Sequence, residues 1–158
     1  MTKEIENYKN EGFTGFMTVS KLFGNTAIIP DFPGVYIVVR ESDDAPTFLV
    51  EGTGGFFKGK NPNVSTEELE ASYVADSKVV YIGKATNLRK RLSQLLRFGA
   101  GSAIGHWGGR YLWQLADSAD LLIAWKPTPE ADPRSEEKQM LDEFVSLHGR
   151  LPFANLSK

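Results

Sequence analysis

Residues 78–99, KVVYIGKATNLRKRLSQLLRFG, decide most of the fold that this sequence predicts. The first part, Lys78–Lys84, is rich in β-branched and aromatic residues, which is typical of a β-strand. Thr86 or Asn87 can cap a following helix that runs to about Phe98. The helix has apolar residues at helical spacing, which indicates one buried face: Leu88, Leu92, Leu95 and Leu96.

Two other segments have the composition of strands. Gly34–Arg40 reads GVYIVVR and Leu121–Lys126 reads LLIAWK. Residues 46–51, across the turn-like sequence ESDDA, are a candidate hairpin partner for the first of these strands. Residues 1–33 are interpreted as an N-terminal extension of unclear role.

Helices are predicted at Ser65–Ala75, at Arg110–Ala116 and from Asp132 to about His148. The last begins with an Asp-Pro pair, a favourable combination of cap and first helical residue. Three main strands covered by helices predict a small α+β domain over residues 34–158, with an insertion at about 41–77.

Composition and length place the chain among globular proteins. It has 158 residues, is 41% hydrophobic and 24% charged, and contains no cysteine, which excludes disulfides and thiolate metal sites. The polar N-terminus is unlike a secretory signal, and no stretch reaches the roughly 18 apolar residues of a membrane helix. We therefore expect a cytoplasmic protein without a membrane partner.

The basic residues are concentrated in one segment. The net charge is −2, yet residues 77–116 contain seven lysines and arginines and no acid. Such a segment in an acidic protein indicates an anion-binding surface, although a solvated helix face is the simpler alternative. The candidate DNA-binding residues are Lys84, Arg89, Lys90, Arg97 and Arg110, with Trp107 either stacking on a base or packing in the core.

Two tripeptides lie on the two strongest strand candidates, Gly34–Tyr36 (GVY) and Tyr81–Gly83 (YIG). Arg91 follows in the basic helix, and Glu143 precedes Asn155 by twelve residues near the end of the chain. Either tripeptide alone is a weak signal. The whole set resembles the GIY-YIG nuclease family, most closely the nuclease domains of the bacterial excinuclease C type, here as a stand-alone domain.

The resemblance implies a small central antiparallel sheet and a metal-dependent DNA endonuclease or nickase. Tyr36 and Tyr81 would be the paired active-site tyrosines, one of which helps to take a proton from the attacking water. Arg91 would hold the scissile phosphate, and Glu143 would be the single carboxylate ligand of one Mg²⁺ or Mn²⁺. One carboxylate suits Mg²⁺, which keeps several of its waters. The supporting polar residues would be Lys84 and Asn155.

The chemistry of phosphodiester hydrolysis agrees with this set in outline. The reaction needs a deprotonated nucleophile, a cation on the phosphate oxygens and a group that stabilises the leaving oxygen. Because tyrosine has a pKa of about 10, it is a poor base at neutral pH unless a cation assists it. Lys84 and Arg91 are the candidate cations, and the planar fork of an arginine suits a phosphate.

Three features depart from the family pattern. The two motif tyrosines are 45 residues apart, which places the insertion at 41–77 between their strands. Leu95 occupies the position one turn after the motif arginine, where the family often has Tyr or His, and His106 is a candidate substitute from another loop. Glu137 lies nearer than Glu143 to the middle of the apolar stripe of its helix, and it is the alternative carboxylate.

The leading hypothesis is an endonuclease or nickase related to repair, restriction or mobile elements. The first rival is a catalytically weak DNA-binding module that acts with a partner protein, which Leu95 and the acidic remainder of the chain favour. The second rival is a protein-interaction domain that retains only the fold, and the intact site residues count against it. Targeting is expected to come from residues 1–33, the insertion, a homodimer or a partner protein.

Overall fold

The computed structural model describes residues 3–157 and confirms an α+β fold built on an antiparallel sheet. The sheet has four strands in the order β1-β4-β2-β3, with β2 paired to both β3 and β4. Their bounds are β1 Thr14–Thr18, β2 Gly34–Val39, β3 Val79–Ala85 and β4 Leu122–Pro127. The three strands predicted from the sequence are therefore present, and β1 is a fourth.

Five α-helices accompany the sheet: α1 Lys3–Asn10, α2 Val19–Leu22, α3 Thr66–Ser72, α4 Leu88–Gly99 and α5 Pro133–His148. Asn87 caps α4 by accepting a hydrogen bond from the Lys90 amide, and Asp132 caps α5 by accepting from the Arg134 amide. The predicted helix at 110–116 is instead a 3₁₀ segment, Trp107–Gln114.

The two faces of the sheet carry different layers. On one face, Tyr36 and Val38 of β2 pack against α4, whose Leu92 and Leu95 are fully buried. On the other face, the aliphatic side chains of β2 pack against α1 and α5. Truncating a leucine such as Leu92 to Ala would cost about 2–5 kcal/mol of stability, because a cavity would remain in this layer.

The segment before β2 is part of the domain. It supplies α1, β1 and α2, and β1 pairs with β4 at one edge of the sheet. Glu4 of α1 accepts hydrogen bonds from the Ser77 hydroxyl at 2.6 Å and from the Lys78 amide at 2.7 Å. Residues 3–33 therefore complete the sheet and fix the start of β3.

The insertion between β2 and β3 does not form the predicted hairpin. Residues 46–51 contribute only an isolated bridge between Phe48 and Leu115, because both sides of β2 are already occupied by β3 and β4. The buried Gln114 side chain holds the insertion in place by donating to the carbonyls of Leu49 and Val64 and accepting from the Val64 amide. Across residues 3–157, no helix is long and apolar enough to cross a membrane.

Candidate functional site

The glycines of the two tripeptides make room for close packing beside the tyrosines. Tyr36 lies opposite Gly83 on the neighbouring strand, and a Cβ atom at Gly83 would meet the Tyr36 ring at 2.4 Å. A Cβ atom at Gly34 would lie 2.4 Å from the Lys126 carbonyl oxygen and 2.7 Å from Leu88. Each glycine therefore allows a side chain from another element to cover its strand.

Tyr36 is buried within an aromatic cluster. Its ring centroid lies 6.0 Å from that of Tyr81, and its hydroxyl oxygen lies 2.7 Å from His106 Nε2. Only 1% of Tyr36 and none of His106 is exposed to solvent, so this hydrogen bond is shielded from water. Tyr36 therefore contacts its neighbours in the cluster rather than the solvent.

Burial sets the protonation states of the cluster. Burial raises the pKa of Tyr36 well above its usual range, and proximity to Tyr81 raises it further. Burial lowers the pKa of His106 to about 3, and the Arg91 cation adds to this effect. His106 is thus a neutral imidazole at pH 7, and its Nε2 can accept the hydroxyl proton of Tyr36. Within residues 3–157, its Nδ1 atom has no hydrogen-bond partner.

Tyr81 lies where this cluster meets the surface. It lines a small cleft of about 190 Å³ at the free edge of β3 together with Lys84, Glu137 and Asn155, and we call this site the edge cleft. Burial raises the pKa of Tyr81, the Arg91 cation opposes that rise, and the Glu137 carboxylate adds to it. Tyr81, of which 8% is exposed, is therefore the motif tyrosine that lies nearer to the surface.

Arg91 lies between the aromatic cluster and a larger cleft. Its Nη1 atom donates to the Gly105 carbonyl at 2.6 Å and to Gln94 at 3.0 Å, which holds the guanidinium beside the loop that carries His106. The larger cleft measures about 500 Å³, and Lys84 lines both clefts, so the two adjoin. We call the larger site the basic cleft. The cations that line it are Lys84, Lys90, Arg91 and Arg134.

Among the described residues, Glu137 supplies the carboxylate at the edge cleft, and Glu143, the predicted metal ligand, lies in a different groove. Glu137 Oε1 lies 3.6 Å from Lys84 Nζ, and 16% of its side chain is exposed. Glu143 is exposed in a groove between α1 and α5 and receives a hydrogen bond from Gln139. Six residues of helix separate the two carboxylates by about 9 Å and turn them about 120° apart, so they face different regions.

Asn155 supports β3 through its side-chain amide. Its Oδ1 atom accepts from the Ile82 amide and its Nδ2 atom donates to the Ile82 carbonyl, both at 2.9 Å. Both polar ends of the amide are therefore engaged with the strand between Tyr81 and Gly83. Asn155 also lines the edge cleft, and the supporting role that the resemblance implied stays a prediction.

The predicted DNA-binding residues divide into two groups. Lys84 and Lys90 line the basic cleft, and Arg97 is exposed farther along α4. Arg89 is structural, because its guanidinium donates to the carbonyls of Ile29 and Ala27. Arg110 stacks on Trp107 with 4.7 Å between the guanidinium carbon and the ring centroid, and Trp107 itself packs against Phe98.

Sequence reasoning missed one residue of the basic cleft and ranked one residue of the edge cleft too low. Arg134 follows the α5 cap, outside the acid-free segment, so the charge count did not include it. Glu137 had a signal, since a carboxylate near the middle of an apolar stripe needs a partner, and that partner is Lys84.

The side chains of the edge cleft that could bind a metal suit only an ion that keeps most of its water ligands. Residues 3–157 contain no group of three or more His, Asp or Glu side chains placed to hold one metal. Glu137 supplies one carboxylate beside an open cleft, which fits a Mg²⁺ ion that keeps most of its waters. No family model matches the chain, and comparison with curated proteins and with solved structures gives no match.

Proposed function

We propose that this protein is a GIY-YIG-type endonuclease or nickase that hydrolyses phosphodiester bonds in DNA with the help of one divalent metal ion. One observation carries the proposal: Tyr81, Lys84 and Glu137 line the edge cleft, which adjoins the basic cleft lined by Arg91. An acid, a phenol and several cations thus meet at one edge of the sheet. Together these groups can bind a phosphate, orient a water and offset the charge that develops on the leaving oxygen.

The cations bind and orient the scissile phosphate. The guanidinium of Arg91 can make paired hydrogen bonds to phosphate oxygens, and it offsets the charge that develops on them. Lys84 lines both clefts, so it can contact the same phosphate or its neighbour. A cation beside the phosphate stabilises the transition state, because the phosphate gains negative charge there.

Tyr81 orients the attacking water. Because its pKa is raised, Tyr81 is a neutral phenol at pH 7, and its oxygen can accept a hydrogen bond from that water. Tyr36 and His106 fix the ring from behind through their packing and their hydrogen bond. Glu137 would hold Mg²⁺ or Mn²⁺, and the bound ion would supply positive charge to the phosphate and the leaving oxygen.

The experiment is cleavage of supercoiled plasmid and of branched or damaged duplexes with Mg²⁺ or Mn²⁺. We expect nicking by the wild type and a loss of about 100-fold in rate for Tyr81→Phe, with DNA affinity retained. Tyr36→Phe tests the supporting role of the aromatic cluster. It removes the partner of His106 and should lower stability by about 1–3 kcal/mol, because a buried polar group loses its partner.

A second candidate function is a DNA-binding module with little catalytic activity that acts with a partner protein or as a homodimer. The burial of Tyr36 and of Leu95, neither of which reaches solvent, favours this candidate. Salt-sensitive DNA binding without nicking on any DNA form would support it and would contradict the nuclease proposal. Both candidates act on DNA, and the cytoplasmic location expected from the sequence is part of the same proposal.

A further inference from the structure

The basic cleft has the charge of a phosphate-binding site. Four cations line it, and Asp132 also does so, but the Asp132 carboxylate accepts hydrogen bonds from the Arg134 amide and the Ser135 hydroxyl as the cap of α5. Its charge is therefore partly engaged by the start of the helix, and the cleft retains a positive balance. Unlike the edge cleft, this site is large enough to hold more than one chemical group of a ligand.

An exposed aromatic ring belongs to the segment that packs against the start of α4, next to this cleft. The Phe32 carbonyl accepts from the Leu88 amide at 2.8 Å, at the start of α4, and the Pro33 carbonyl accepts from the Thr128 amide at 2.9 Å, on the side where α5 begins. The backbone of these two residues thus connects the start of α4 with the residue that follows β4. The Phe32 ring nevertheless remains 58% exposed.

The segment that carries Phe32 is held firmly. Arg89 donates from Nε to the Ile29 carbonyl at 2.9 Å, and its backbone amide donates to the Pro30 carbonyl at 3.1 Å. Asn87, which lines the basic cleft, also donates to the Asp31 carboxylate. An exposed ring on a fixed backbone beside a row of cations is the arrangement that single-strand binding proteins use, with cations on phosphates and an aromatic face under a base.

We propose that the basic cleft binds an unpaired DNA strand, with its phosphates on Lys90, Arg91 and Arg134 and one base stacked on Phe32. The substrate class is then DNA with a single-stranded arm or a locally melted segment beside the cleaved bond. A base within an intact duplex has both faces covered by its neighbours and cannot stack on Phe32, whereas an unpaired base can. This inference rests on the proposed function, since it assigns a substrate to the same site.

The test measures the affinity of the full chain, without metal, for labelled oligo(dT) of about 12 nucleotides and for a hairpin duplex. We expect Phe32→Ala and Phe32→Leu to weaken oligo(dT) binding by about 5- to 150-fold, because base stacking contributes about 1–3 kcal/mol. Phe32→Trp should retain the affinity, and its added fluorescence should be quenched by oligo(dT). Duplex affinity should stay within about twofold in all three variants, because phosphate contacts dominate it.

Phe56→Ala is the matched control. Phe56 is 53% exposed, but it lies near the C-terminal end of α4, where the Gly55 amide donates to the Phe98 carbonyl. That end is about 15 Å along the helix from Leu88, so Phe56→Ala should change neither affinity. Melting temperatures of all variants should match the wild type, since both rings are exposed.

The outcomes separate this inference from the proposed function. If the wild type nicks duplex plasmid but Phe32→Ala binds oligo(dT) as the wild type does, the single-strand site is wrong and the nuclease proposal stands. Equal losses of affinity for oligo(dT) and for duplex would also overturn the inference. They would show that Phe32 contributes to DNA binding in general rather than by stacking on an unpaired base. If oligo(U) binds more tightly than oligo(dT), the assignment to DNA is wrong. A wild type that binds no DNA would overturn both proposals.

Discussion

The edge cleft and the groove between α1 and α5 contain the same two residue types in opposite electrostatic surroundings. At the edge cleft, Tyr81 and Glu137 lie near the cations Arg91 and Lys84. In the groove, Tyr8 and Glu143 lie among other acids, and burial together with those carboxylates raises the pKa of Tyr8. A phosphate would be attracted to the first region and repelled by the second. The surrounding charge, rather than the presence of a tyrosine and a glutamate, distinguishes the candidate site.

Replacing the two glutamates one at a time tests this comparison most directly and should give the largest effect. Glu137→Ala should lower the metal-dependent nicking rate by about 100- to 1,000-fold, because it removes a carboxylate that lines the edge cleft and the metal charge that it would hold. DNA affinity should be equal or slightly higher, since a negative charge near the phosphates is lost. Nicking rates and binding curves measure both effects.

Glu143→Ala is the paired control for that experiment. Glu143 is exposed in an acidic groove, so its loss should leave the nicking rate within about twofold and change stability by less than about 0.5 kcal/mol. If Glu143→Ala abolishes nicking and Glu137→Ala does not, the assignment of the carboxylate is reversed and the comparison fails.

Two arginines on α4 provide a second comparison, between a residue that lines the basic cleft and one that holds neighbouring backbone in place. Arg91→Ala should lower the nicking rate by about 100-fold, because the phosphate loses its guanidinium partner. Arg89→Ala should leave the rate nearly unchanged but lower stability by about 1–3 kcal/mol, because two backbone carbonyls lose their hydrogen-bond donor. Thermal unfolding and nicking rates of the two variants would decide it, and a shared loss of rate without a loss of stability would contradict the structural role of Arg89.

The smallest expected effect is a loss of folding stability at acid pH that is caused by His106. Its pKa of about 3 in the folded protein lies below the usual 6.5, so the unfolded chain takes up a proton first as the pH falls. The resulting stability is fully present above about pH 6.5 and is lost progressively toward about pH 3. Relative to His106→Gln, the wild type should lose about 2 kcal/mol of unfolding free energy between about pH 6.5 and 4.5.

The matched control is His148→Gln, which removes the other histidine of the chain and leaves the Tyr36–His106 pair intact. Denaturant unfolding at several pH values should show in that control variant the loss of stability at acid pH that His106→Gln lacks. An acid dependence in His106→Gln equal to that of the wild type would show that His106 is not held neutral by burial.

Local patterns were sufficient to predict the strands β2, β3 and β4 and the caps of α4 and α5, because each depends on neighbouring residues. β1 was missed because it has no alternation of apolar and polar residues, and its irregular backbone includes Gly15 and Phe16 at positive φ. The residues of the site depend on distant partners. Glu137 could be distinguished from Glu143 only once α1 was known to cover the far end of α5.

The C-terminal segment covers the edge of β3 that does not pair with β2, and this affects the behaviour of the protein in solution. Edge strands with unpaired amides and carbonyls invite pairing with other chains and aggregation. Here the Asn155 amide occupies both backbone groups of Ile82, and the Ala154 amide donates to the Val80 carbonyl, so the C-terminal segment takes the place of a fifth strand. The strand that carries Tyr81 and Lys84 can thus remain open to a ligand through its side chains while its backbone is closed to self-association.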